Sequence, residues 1–354
     1  MLIFEIDINI FWLLIYVGLL PMPRISVIVT AFNRKEYVHE AINSVLNQSL
    51  EPSEFEIILI SNFEVNTKNF HTDVPIRSLV MNGTVGESLY QGISMARNEI
   101  IAFLNDDDVW HKDRLKEIVR VFSLYGDLAY YHNSPWYIDS GGNTIYPFFQ
   151  NPSRFKGESY IVGKKNRNEL SKLITLGASF NLSSIAISKP YLIFSMEALK
   201  HIVTNPDGFL FWASVMSGGK IYIDKRKFTG YRMHNQSVTS STDRSKQGSE
   251  LLREMKTYEL LLALVEESVQ GKSKTLLQSY IRQQYMKLKA HYLMVSGGGR
   301  KALFACIKGI MKISNLHLDF DAIRIFLYSL AYAIHPRLFS FVENKVSIRG
   351  YYRA

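Results

Sequence analysis

From Arg24 onward the apolar positions alternate between two kinds of pattern. Ile25–Thr30 is an unbroken run rich in β-branched residues, which predicts a strand buried on both faces. Apolar residues then recur at Val38, Ala41, Ile42, Val45 and Leu46, a helical spacing that predicts a helix over Tyr37–Gln48. Phe55–Ile60 and Ile76–Val80 predict a second and a third strand. Val85–Arg97 predicts a helix that Gly86 helps to open. Ile100–Leu104 predicts a fourth strand that runs straight into Asn105, Asp106, Asp107 and Asp108. A helix from about Lys112 to Tyr125 and a fifth strand near Leu128–His132 follow. Strands alternating with helices imply a mainly parallel sheet covered on both faces, with ligands beyond the carboxyl ends of its strands.

The pattern changes after Trp136. Trp136–Phe149, with Asp139, Ser140, Gly141, Gly142 and Asn143 at its centre, predicts a β-hairpin. Asn151–Leu176 reads as a polar, basic loop leading into a short helix. Asp207–Met216 predicts a helix, and Lys220–Ile223 and Phe228–Met233 two short strands. Beyond about Ser240 the pattern is helical only, broken at Gly297, Gly298 and Gly299, and no internal repeat is present. These shifts divide the chain into an apolar N-terminal segment (1–21), an α/β domain (22–245) and a helical extension (246–354). Ile8–Leu20 is shorter than the ~20 apolar residues that span a bilayer, and it lacks the basic start of a signal peptide. Two readings stand for it: a translation start at Met22, or a short interfacial anchor.

Composition narrows the classes. Hydrophobic residues make up 47% and charged residues 21% of 354, a globular balance. One cysteine, Cys306, excludes an intramolecular disulfide and a cysteine-based zinc site, and fits a reducing, cytoplasmic compartment. The net charge of +9 has a single source: residues 1–250 carry 25 basic and 25 acidic side chains, whereas 251–354 carry 16 and 7. A nucleic-acid enzyme would carry its basic charge around the catalytic core, so no nucleic-acid partner is expected. In the extension, Lys301, Lys308 and Lys312 fall within about 40° of one another on a helix over Arg300–Ser314. Leu303, Phe304, Ile307, Ile310 and Met311 cover its other side. With the apolar Phe320–Ile334 behind it, this segment reads either as a module for an anionic membrane surface on the cytoplasmic face or as helices packed on the domain or a second subunit.

The sharpest chemical feature is the run of Asp106, Asp107 and Asp108. Three consecutive carboxylates after an apolar strand need a compensating cation or full solvation, and such oxygen donors suit Mg²⁺ or Mn²⁺ bridged to phosphates. The other reading is a solvated turn in which Asp108 caps the following helix.

Taken together, Pro23–Arg34 (PRISVIVTAFNR), Ala41–Gln48 (AINSVLNQ), Phe55–Ile58 and Ala102–Trp110 (AFLNDDDVW) resemble the family 2 glycosyltransferases of GT-A fold, in order and spacing, over roughly Met22 to Thr239. The resemblance implies an inverting transfer of sugar from a nucleotide-diphosphate donor to a hydroxyl of a glycan or lipid-linked acceptor, with a divalent metal. It implies that Thr30, Phe32 and Asn33 meet the base and ribose, and that Asn62 stands where an aspartate commonly bonds uracil. Gly86, Gln91 and Arg97 would lie along the nucleotide, where Gly86 can equally be a plain turn glycine. Asp107 would be the leading metal ligand, with Asp108 assisting and Asp106 near the nucleotide. Asp207, in Asn205–Trp212 (NPDGFLFW), matches the general base, with Pro206 where an acidic residue is often found. An N-cap role for Asp207 stands beside the catalytic one. Arg232 and His234, in Tyr231–Ser237 (YRMHNQS), would face the diphosphate or metal, and His234 can equally be a satisfied loop histidine. The absence of the Gln-x-x-Arg-Trp motif of processive synthases favours addition of single sugars. Two rivals remain: a nucleotidyltransferase, which would want a glycine-rich loop after the first strand, and a degenerate binding relative, suggested by Asn62, Asn105 and Pro206.

Overall fold

The computed structural model describes residues 24–146, 158–163, 166–234, 244–297 and 303–304. The β-branched runs form the predicted strands: β1 (Ile25–Ala31), β2 (Phe55–Ser61), β3 (Ile76–Val80) and β4 (Ile100–Asn105). All four are parallel, in the order β3-β2-β1-β4. Every residue of β1 and β2 is buried, as expected of strands covered on both faces. The sheet continues through β9 (Ile185–Ser188), β6 (Leu128–Ile138), β10 (Lys220–Arg232) and the two-residue β5 (Val109–Trp110). Short β7 (Thr144–Ile145) pairs with β6, forming the expected hairpin, and β8 (Tyr160–Val162) pairs with β10.

Alternate strand residues point to opposite faces, and each face has its own core. On one side Val27, Val29, Ile57 and Leu59 pack with α1 (Val38–Leu46) and α3 (Arg114–Leu124). On the other, Ile28, Ile58 and Phe103 pack with α2 (Val85–Met95), together with α4 (Arg167–Thr175), α5 (Met196–Leu199) and α6 (Pro206–Met216). The long helices α7 (Arg244–Ser268) and α8 (Gly271–Val295) contribute Leu251, Met255, Leu261, Val265, Leu277, Ile281 and Leu288 to that same core. The packing therefore carries no break at residue 246. Among the described residues no helix is long and apolar enough to cross a membrane. The readings of 1–21, and of the tail helices apart from Leu303 and Phe304, lie outside the described residues.

Three elements differ from the sequence pattern. The strands expected at Lys220–Ile223 and Phe228–Met233 are one strand, β10, with register irregularities between Asp224 and Thr229. The polar stretch between them reads as a turn. Asp224 is nevertheless buried, because the Tyr131 hydroxyl donates to it at 3.0 Å and Arg226 pairs with it at 2.6 Å. The four residues of β9 escape the pattern because they are too few to show a period. Asp108 does not cap the following helix: Asp113 holds that position, and β5 intervenes.

Gly86 owes its place to packing. Its N–H donates to the Ile202 carbonyl at 2.9 Å, and a Cβ there would stand 2.0 Å from the Leu199 carbonyl oxygen and 2.6 Å from that of Ile202. Neither backbone atom can yield as a side chain would. Gly86→Ala is therefore expected to cost about 3 kcal/mol, the upper end for overpacked sites, read as a lowered urea midpoint; an unchanged midpoint would contradict this account of the contact.

Candidate active site

The carboxyl ends of β1, β2 and β4 lie together, and most of the sequence-predicted residues gather there. The acidic turn leaves β4 with the Asp106 N–H donating to the Thr30 carbonyl at 3.0 Å. Asp106 is 1% exposed. It accepts from the Phe32 N–H at 3.3 Å and from Arg34 Nη2 at 2.5 Å. Arg34 Nη1 also pairs with Asp107 at 2.8 Å. Burial, opposed by Arg34 and reinforced by the Asp107 charge, raises the Asp106 carboxyl to about 6.

Asp108 was expected to share a metal with Asp107, but its carboxylate is turned inward. One oxygen accepts from the Ser183 hydroxyl at 2.5 Å and the other from the Arg232 N–H at 3.0 Å. Burial first, then the Asp107 charge, push it up to about 8. Its role here is to hold the turn. Asp107 is the member that reaches the surface of the site, with 13% of its side chain exposed and His234 Nε2 3.0 Å from its Oδ2.

Arg232, expected at phosphate oxygens, is instead committed to the frame. Its Nε donates to the Asp107 carbonyl at 2.7 Å, its Nη1 to the Asp139 and Ser140 carbonyls at 3.2 Å, and its Nη2 to Glu40 at 2.6 Å. The guanidinium lies over the Tyr37 ring, 4.6 Å from its centroid. Arg34, 19% exposed, is the guanidinium that faces the site. Its position beside Asn33 in a loop after the first strand was the available signal.

Asn33 and Asn62 join the ends of β1 and β2. The Asn33 N–H donates to Asn62 Oδ1 at 2.9 Å, and Asn62 Nδ2 donates to Asn33 Oδ1 at 2.6 Å. Asn33 takes a left-handed φ of 58°, a conformation that asparagine tolerates better than most residues. Asn62 therefore spends one of its two acceptor lone pairs inside the protein and keeps the other. Phe32 is half-buried beside them, and Gln91 is half-buried in the middle of α2. Arg97 is not brought to the site. It precedes the amino end of β4, at the opposite end of the strands, where its N–H donates to Glu56 at 2.9 Å.

Asp207 lies in the first turn of α6, but the cap is Asn205, whose Oδ1 accepts from the Gly208 N–H at 3.0 Å. The Asp207 carboxylate accepts instead from the Asn181 N–H at 3.0 Å. Burial, opposed by these backbone donors, raises it to about 6. Asn181 and Ser183 belong to one short turn, so the turn that touches Asp207 through its backbone touches Asp108 through a hydroxyl two residues later. Two residues span at most about 7 Å. Tyr231 is subject to both acidic groups: burial first, then the charges of Asp108, Asp107 and, more weakly, Asp207, hold its hydroxyl protonated.

Among the described residues no three His, Cys, Asp or Glu side chains gather as a complete cation site. Asp107 and His234 do fit part of one. Two adjacent ligands of an octahedral ion at about 2.1 Å stand about 3 Å apart, the separation found between Oδ2 and Nε2. A carboxylate and an imidazole suit Mn²⁺ or Mg²⁺ when a diphosphate supplies the remaining oxygens.

Comparison with known proteins gives a consistent picture. Residues 26–179 match the family described as glycosyl transferase family 2. An uncharacterized glycosyltransferase of a Nostoc species is 31% identical over 130 residues, covering 34% of this chain and 39% of its own. The poly(ribitol-phosphate) beta-N-acetylglucosaminyltransferase TarP of Staphylococcus aureus is 32% identical over 105 residues, 27% of this chain and 32% of its own. These matches thus span well under half the length of either relative. The GalNAc(5)-diNAcBac-PP-undecaprenol beta-1,3-glucosyltransferase of Campylobacter jejuni aligns over 87% of this chain and 94% of its own at 24% identity. Among solved structures, S. aureus TarS 1-349 in complex with UDP-GlcNAc has a TM-score of 0.56 at 12% identity, covering 87% of this chain and 91% of its own. The mannosyltransferase PcManGT of Pyrobaculum calidifontis, solved with GDP-Man and Mn²⁺, has a TM-score of 0.51 at 11% identity, covering 97% and 91%. These likenesses show the GT-A fold.

Proposed function

We propose, from the premise that residues 26–179 form a family 2 glycosyltransferase domain, that the chain transfers a single sugar from a nucleoside-diphosphate donor to a hydroxyl, with inversion and with a divalent metal. The observation that carries this reading is the 181–183 turn, which bonds both Asp108 of the acidic turn and the half-buried Asp207. One carboxylate cluster then receives the diphosphate, and a separate carboxylate stands beside it for the acceptor.

Asp207 has the properties of a general base. At neutral pH a carboxyl raised to about 6 is ionised in most molecules, yet it is more basic than an exposed aspartate. It takes the acceptor proton as the hydroxyl oxygen attacks the anomeric carbon, and the bond to the diphosphate breaks on the opposite face. Arg34 is placed to exchange its carboxylate partners for phosphate oxygens, which a guanidinium binds in the same forked geometry. Asp107 and His234 would hold the metal, which when bound neutralises charge developing on the diphosphate. Asn33 and Asn62 would meet the base. The relatives that act on poly(ribitol-phosphate) and undecaprenol-linked saccharides support a glycan or lipid-linked acceptor. The basic tail supports work at an anionic membrane face.

Three measurements test this reading. Asp107→Ala is expected to abolish the extra thermal stabilisation that Mn²⁺ adds to a nucleoside diphosphate, because ligand binding to the native state raises the melting temperature. Retained Mn²⁺-dependent stabilisation would remove Asp107 from the metal site. Asp207→Asn keeps size and polarity but cannot take a proton, so turnover should fall ~10²–10⁴-fold while donor binding persists; near-normal turnover would leave Asp207 a structural role only. The chain truncated after Gly298 should lose co-sedimentation with phosphatidylserine vesicles, and undiminished binding by a folded truncation would sink the membrane reading.

A further inference from the structure

Glu254 lies in α7, outside the span matched to the family. Its side chain is half-buried, and its Oε1 accepts from Asn205 Nδ2 at 3.0 Å. Asn205 is the residue whose Oδ1 caps α6 one turn from Asp207, and it adopts a left-handed φ of 56° to do so. An amide has a donor end and an acceptor end. An acceptor on α7 therefore selects the orientation in which Oδ1 faces the Gly208 N–H, and a flipped amide would turn its donors on that N–H. The Tyr258 hydroxyl, one turn further along α7, is hydrogen-bonded to the same Asn205. Thr257 Oγ1 donates to the Thr204 carbonyl at 2.9 Å. Three consecutive contacts thus fasten the 204–208 segment to α7, and the residue before Asp207 is a proline with no ionisable group of its own.

We propose that Glu254 is a positioning residue for the transfer reaction: through Asn205 it fixes the turn that presents Asp207. The proposal rests on the reading of Asp207 as the base. It makes α7 part of the catalytic unit, so the site is incomplete without the helical extension. The groups facing these two carboxyls are Glu250 and Tyr258 from α7, Tyr130 from β6 and Tyr231 from β10, with the neutral Asn181 and Asn205 between elements. The tyrosines are held protonated by burial, which leaves the carboxyls as the groups that change charge near neutrality. Burial first, and then the Asp207 charge, raise Glu254 from the ordinary 4.5 to about 7. Asp207 at about 6 is therefore the one that ionises first.

The test compares Glu254→Gln, which keeps the acceptor oxygen without the charge, with Glu254→Leu, which keeps neither. Like charges disfavour each other's ionisation. Asp207, at about 6, ionises while Glu254 is still protonated, so Glu254→Gln should leave the acidic limb of the kcat–pH profile in place and remove the later ionisation near 7, with the donor KM unchanged. Glu254→Leu should lose kcat at least ~10-fold at constant KM, as for a misplaced base. A Glu254→Gln profile that superimposes on the parent's overturns the proposal, as does a change confined to KM. A second readout needs no turnover. A carboxyl whose folded value lies above its unfolded one binds its proton more tightly in the folded state, so stability is lost as pH rises between those values. The parent should lose melting temperature between about pH 4.5 and 7 and Glu254→Gln should lose less; equal losses overturn the proposal. If Asp207→Asn keeps its turnover, the base reading fails on that result alone, and Glu254 is then judged on the melting profiles.

Discussion

Everything at this site follows from the placing of three carboxylates at the end of a buried strand. Removing a carboxylate from water without a partner costs several kcal/mol even after relaxation, and two of the three are almost wholly buried. The protein compensates each one differently. Asp106 is met by Arg34 and a backbone N–H, Asp108 by a serine hydroxyl and the Arg232 N–H, and Asp107 by Arg34 and His234 on the open side. The partners come from β1, the turn before β9, and the end of β10, so neutralising the turn also fixes how the two halves of the sheet meet.

The same logic extends to the second acidic group. Asp207 enters the site on the first turn of a helix whose cap is an asparagine in the left-handed region. The turn that donates to its carboxylate begins with another such asparagine, Asn181, at φ 66°. Small amides tolerate this backbone and bond to it at the same time. They let two carboxylates approach through a shared turn without direct contact.

Much of the frame was legible in the sequence because it is local. The β-branched runs of β1, β2 and β4 and the apolar spacing of α1 and α3 announce a doubly covered parallel sheet, and the acidic turn announces its own strand end. What was not legible depends on distant partners. Ser183 meets Asp108 across 75 residues and Arg232 meets Asp107 across 125. No local pattern tells a guanidinium that clamps the frame, such as Arg232, from one that faces the site, such as Arg34. Asp207 and Asn205 look equally fit to cap α6. Only the folded chain shows that Asn205 caps the helix while Asp207 accepts from the distant Asn181 N–H. Glu254 was hidden for the same reason, since its partner lies 49 residues away.

Arg34 already balances the acidic turn; on the proposed function, a divalent ion should therefore enter only together with a diphosphate that draws Arg34 away. Isothermal titration of Mn²⁺ into the full chain, with and without a saturating nucleoside diphosphate, reads this directly. The account predicts weak or unmeasurable Mn²⁺ binding alone and binding at least ~10-fold tighter with the nucleotide, a coupling of about 1.4 kcal/mol or more. Equal Mn²⁺ affinity in the two titrations would contradict it.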